Sequence, residues 1–122
     1  MAITANTTTS ALSAKSLIGT RVLNPKGENL GKLEDIVIEP EDGRVSFGIV
    51  SFGGFLGVGE RLYAVPLQAM KTSPEERAFV LNVDKEKLKN APGFDKDKWP
   101  DLSDRAYDTT VYTFYGSRPY WH

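Results

Sequence analysis

Apolar and polar residues alternate through much of the middle of the chain. In "RVSFGIVSF" (44–52), Val45, Phe47 and Ile49 recur at every second position. That period places them on one face of a half-buried strand. Val50 and Phe52 add apolar surface on the opposite face near its end. "RAFVLNV" (77–83) sets Phe79, Leu81 and Val83 against Ala78, Val80 and Asn82. "RVLN" (21–24) and "RLYAVP" (61–66) predict shorter strands. The second closes on a proline that cannot donate to a ladder. "LGKLEDIVIEP" (30–40) predicts a longer strand with broken alternation. Leu33 and Val37 share one parity, while Ile36 and Ile38 take the other. Gly31 is expected to mark a bulge or bend there, unless both faces are buried.

Turn chemistry separates these segments. In "NPKG" (24–27), Pro25 presets φ and Gly27 accepts a positive φ, and "PEDG" (40–43) is a second turn. Strands of modest length at short spacing predict a mainly β fold, a small antiparallel barrel or sandwich. Closing the sheet would remove its edges.

After Val83 the texture changes. Asp84 is expected to cap a short helix over "KEKLKNA", ended by Pro92 and Gly93. "GFDKDKWPDLS" (93–103) reads as a loop anchored by Phe94 and Trp99. Ser103 is the expected cap of a second helix that puts Tyr107, Val111 and Phe114 on one face, although "TTVYTFY" is also β-prone. Gly116 fits its stop. Residues 1–15 are rich in Thr, Ser and Ala and read as a flexible tail. The expected organisation is a tail at 1–15, a β domain at 16–83 and a helical, aromatic-rich extension at 84–122.

Composition narrows the function classes. The chain of 122 residues carries 15 basic and 16 acidic residues, for a formal charge of -1. Nucleic-acid binders usually carry a basic excess, so nucleic acid is not the expected partner. There is no cysteine, which excludes disulfides and thiolate metal sites. No apolar run approaches the roughly 20 residues of a membrane helix. The N-terminus lacks the pattern of a signal peptide, and a cytoplasmic location is expected.

The glycine-rich stretch "SFGGFLGVGERLYAVP" (51–66) raises the question of phosphate binding. Gly54, Gly57 and Gly59 run G-x-x-G-x-G, the reverse of the dinucleotide fingerprint, and a strand pattern follows. A hairpin connection explains these glycines better. The single histidine, His122, is the last residue, a poor place for an oriented catalytic imidazole. Glu34 and Asp35 are strand neighbours on opposite faces and cannot jointly flank one bond. No catalytic residue, cofactor or metal ligand is assigned, and the chain is expected not to be an enzyme.

The candidate surfaces are for interaction. Phe55 and Leu56 stand among Gly53, Gly54 and Gly57, and apolar residues at a loop tip call for a cover. Glu60 and Arg61 end that loop, either as a binding edge or as an exposed ion pair worth about 0–1 kcal/mol. Tyr115, Arg118, Tyr120 and Trp121 belong to an aromatic tail of the residue types that concentrate at interface hot spots. Such a tail either packs back on its own barrel or covers a neighbour in a homodimer.

Residues 16–70, "SLIGTRVLNPKGENLGKLEDIVIEPEDGRVSFGIVSFGGFLGVGERLYAVPLQAM", resemble a PRC-barrel domain. The likeness rests on "LIGTRV", "GENLGKLEDIVIEPEDGRV", the glycine hairpin and the closing "VLNV", all in the family order. "FDKDKWPDL" and "YGSRPYW" resemble extensions of stand-alone bacterial members. The resemblance implies a small β-barrel and a docking or assembly role. Such roles are played by the cytoplasmic domain of the photosynthetic reaction centre H subunit and by the C-terminal domain of the ribosome maturation factor RimM. A protein partner is therefore expected. RNA binding in ribosome assembly and a small ligand held by the barrel are the alternatives.

Overall fold

The computed structural model describes residues 12–52 and 61–121. The elements run α1 (Ala14–Leu17), β1 (Arg21–Leu23), β2 (Asn29–Glu39), β3 (Arg44–Phe52) and β4 (Arg61–Pro66). A 3-10 corner (Leu67–Ala69) then leads to β5 (Met70–Ser73) and β6 (Ala78–Leu81). The chain closes with α2 (Lys85–Leu88), β7 (Phe94–Asp95) and α3 (Arg105–Phe114). One sheet contains all strands in the order β5-β6-β1-β2-β3-β4-β7.

The expected closed antiparallel barrel is corrected on two points. β1 pairs with β6 in parallel, Arg21 opposite Ala78 and Leu23 opposite Val80. The sheet is also open, because no ladder joins its edge strands β5 and β7 among the described residues. The chain turns a corner between β4 and β5, and β5 then pairs with β6. Three residues of 3-10 helix span only about 6 Å. Since β4 and β5 lie far apart in strand order yet this close along the chain, the sheet must curl strongly. Its edges are short instead of absent, four residues in β5 and two in β7. Neither edge strand has the alternation that reveals the longer strands, so both escape sequence reasoning.

Bulges supply the curl. On β2, Leu33 faces Val50 and Asp35 faces Ile49, so Glu34 is an extra residue. Val22 faces Gly31 and Leu23 faces Asn29, which makes Leu30 another. On β3, Ser46 is extra between the pairs Val37–Phe47 and Ile38–Val45. Each extra residue bends its strand and raises its twist. The broken alternation of β2 therefore reflects bulges at Leu30 and Glu34, and Gly31 flanks the first of them, as expected, while also having a second duty. A Cβ on Gly31 would collide with the Ser51 carbonyl oxygen. Glycine is what allows β2 and β3 to approach there.

The curled sheet buries both of its faces in β3 and β4. Leu30, Leu33, Val50, Val65, Phe79 and Leu81 fill the concave side. Phe47, Ile49 and Ala64 form a second core on the outer side with Phe94, Val111 and Tyr112. Thus α3 covers the outer face. Its cap is Asp104, whose side chain accepts from the Ala106 N–H, and not the expected Ser103. Ser103 is tied instead to Asp101. The helix stops in a Schellman turn: Gly116 has φ 70° and Ser117 N donates to Tyr112 O at 2.9 Å. Its buried face is Asp108, Val111 and Tyr112. The expected stripe of Tyr107, Val111 and Phe114 is rotated, because Tyr112 reaches into the bulge.

Candidate functional site

A cleft of about 630 Å³ lies beside the end of β3 and the start of β4, lined from β2, β3, β4 and the loop after β7. Ile49, Phe52 and Leu62 supply its apolar lining, and Trp99 in the loop after β7 stands beside them. Ile49 is fully buried, whereas Trp99 is 43% exposed. Trp99 does not float. Its Nε1–H donates to the Lys96 carbonyl at 3.0 Å, and its ring lies 5.3 Å from that of Phe94. A rigid indole with an open face is an inexpensive contact element, because little freedom remains to be lost.

The rim carries both signs of charge. Glu34 and Asp35 come from β2, Lys32 from the same strand, and Arg61 and Lys96 from the opposite side. Glu34 and Asp35 were expected on opposite faces, but the bulge at Glu34 breaks the alternation and both line this cleft. Glu34 then accepts from the Ser51 hydroxyl at 2.7 Å, and Asp35 accepts from the Ile36 N–H at 2.7 Å. Arg61 pairs with Asp95 across β4 and β7 at 3.3 Å. That half-exposed pair fixes the guanidinium more than it stabilises the fold. No metal-holding group of three or more His, Cys, Asp or Glu occurs among the described residues.

The sequence-chosen residues divide into three sets. Phe55, Leu56 and Glu60 lie outside the described residues. Arg61 lines the cleft and Arg118 is exposed at a distance in sequence from any cleft residue. Tyr115, Tyr120 and Trp121 pack back on this chain's own outer core. Trp121 meets Tyr112 edge-on at 5.1 Å, and Tyr120 meets it at 6.1 Å. Arg105 lies 4.4 Å from the Trp121 ring centre and Arg44 lies 4.4 Å from that of Tyr120. Burial drives the Tyr115 hydroxyl well above the usual tyrosine range. The aromatic tail is thus part of the domain's cover. Trp99 anchors its loop, as expected, and also carries an exposed aromatic face, 43% in solvent. Its charged surroundings, "DKDKWPD", were the available signal.

The family model for the PRC-barrel domain matches residues 10–88, well over half of the chain. This chain belongs to the PRC-barrel domain family. A search of curated proteins returns no match. The PRC-barrel match takes in β1 to β6 and ends at the last residue of α2. Phe94, Trp99 and α3 lie beyond it, so the wall of the cleft and the cover of the outer core belong to the extension. No helix among the described residues is long and apolar enough to cross a membrane.

Proposed function

We propose that this PRC-barrel chain is a non-enzymatic docking module that holds a protein partner at the cleft beside Trp99. One observation carries the reading: a 43%-exposed indole, anchored by its own hydrogen bond, borders a cleft lined mainly by charged and polar side chains, with Phe52 and Leu62 among them. Interfaces concentrate their energy in such aromatic anchors surrounded by polar groups. The two signs of charge on the rim favour a partner segment that carries both around an apolar side chain.

The test is cross-linked capture of the tagged full-length chain from its native cells, with mass spectrometry of what is recovered. Trp99→Ala and Arg61→Glu should each cut recovery of a stoichiometric partner at least tenfold with unchanged thermal unfolding. A homodimer as the recovered species would make the partner a second copy. Partner recovery that survives both substitutions overturns the assignment to this cleft.

A further inference from the structure

The cover over the outer core contains a buried charge. Asp108, on the sheet-facing side of α3, is 0% exposed. Arg105 Nη1 donates to its Oδ2 at 3.3 Å, while Oδ1 is buried without a hydrogen bond. The same guanidinium donates to Glu39 Oε2 of β2 at 2.8 Å and to the Tyr120 hydroxyl at 3.3 Å. Glu39 Oε1 is also buried and without a hydrogen bond. One cation is therefore shared between two carboxylates, each of which leaves a buried oxygen without a protein donor.

The groups facing Asp108 come from every side. Arg105, Asp104, Tyr107 and Tyr112 lie on or beside its own helix, and Glu39 reaches it from β2. Tyr120 of the tail joins through Arg105, with Arg44 of β3 stacked on its ring. Burial is the largest influence and pushes the Asp108 carboxyl up to about 6, with Glu39 and Asp104 adding repulsion and Arg105 opposing it. Meanwhile α3 shares no backbone ladder with the sheet. Side chains hold it: the apolar packing, Arg105 on Glu39, and the Tyr112 hydroxyl on Ser46 O. An element seated this way can open while the ladders stay closed.

We propose that α3 and residues 117–121 form a proton-controlled cover over the outer face of β3 and β4, firm when Asp108 is protonated and loosened when it is charged. Opening uncovers Phe47, Ile49 and Ala64, which are fully buried in the closed form. The sign follows from linkage. The closed-state value of about 6 lies above the ordinary 3.8 that a solvated, open-state carboxyl would have. The protonated form therefore favours closure. That advantage is complete below the ordinary value and is lost as pH rises through the closed-state value.

The experiment is amide hydrogen exchange of the full chain at pH 5 and pH 7.5, expressed as protection after correction for chemical exchange. Protection of α3 should fall roughly tenfold between the two, while that of β2 and β3 holds. Asp108→Asn should abolish the difference. Carbon NMR of the wild-type Asp108 carboxyl gives a check that needs no variant, with a midpoint near the value stated above. A midpoint in the ordinary aspartate range overturns the proposal. So does a pH difference that persists in Asp108→Asn, or α3 exchange that only tracks β2 and β3.

Discussion

Tyr112→Phe deletes one oxygen from the centre of the outer core. Tyr112 is fully buried, and its hydroxyl donates to Ser46 O at 2.9 Å. Ser46 is the extra residue of the β3 bulge, 1% exposed, so water cannot easily replace the lost donor. A buried hydrogen bond contributes about 1 kcal/mol net, and a buried acceptor left without its donor costs about 1–3 kcal/mol. The ring contacts with Phe47 at 5.5 Å and Trp121 at 5.1 Å survive the change. We therefore expect a loss of about 2 kcal/mol, or roughly 6–10 °C in melting temperature. Urea unfolding followed by circular dichroism measures it as a lower midpoint at unchanged slope. Tyr120→Phe is the comparison, since its hydroxyl only accepts from partly exposed Arg105, and it should cost under about 0.5 kcal/mol. A loss below about 0.5 kcal/mol for Tyr112→Phe would show that the bulge holds its shape without α3 and refute the reasoning.

Gly31→Ala should cost about 2 kcal/mol or more in the same assay, because its methyl meets the Ser51 backbone; a neutral result would mean β2 and β3 can separate there freely. Leu33→Ala, fully buried on the concave side, should cost about 2–5 kcal/mol by calorimetry. Gly116→Ala should cost about 1 kcal/mol, since φ 70° at the helix stop suits glycine and there is open space around it. Between pH 5 and pH 7.5, wild-type stability should decline relative to Asp108→Asn, a trend read from parallel denaturant curves at each pH.

Much of this protein could be read along the chain. Alternation pointed to β3 and β6, while β1, β2 and β4 showed as apolar segments between turn signals. Turn chemistry at Asn24 and Gly27 held as well: Asn24 Oδ1 accepts from the N–H groups of Lys26 and Glu28, and Gly27 has φ 84°. The glycine stretch is followed by β4, a strand as the pattern required. Those signals are local, set by a few neighbouring residues.

What escaped depends on partners distant in sequence. Met70–Ser73 offers one buried apolar residue and becomes a strand only because β6 is beside it. The parallel pairing of β1 with β6 and the open edge follow from how three bulges curl the sheet, and no single bulge announces its neighbours. The same holds at the candidate sites. The aromatic tail had two readings, its own barrel or a neighbour, and only the packing decides: Tyr112 and Arg105 draw Tyr120 and Trp121 onto this chain's outer core. Trp99 stays half in solvent because Phe94 and Lys96 fix one edge of its ring and nothing covers the other among the described residues. Local propensity therefore determined where strands and turns lie. Which apolar residues are covered, and which carboxylate is buried, was decided by packing between segments some sixty residues apart, such as Glu39 and Arg105 at a separation of 66.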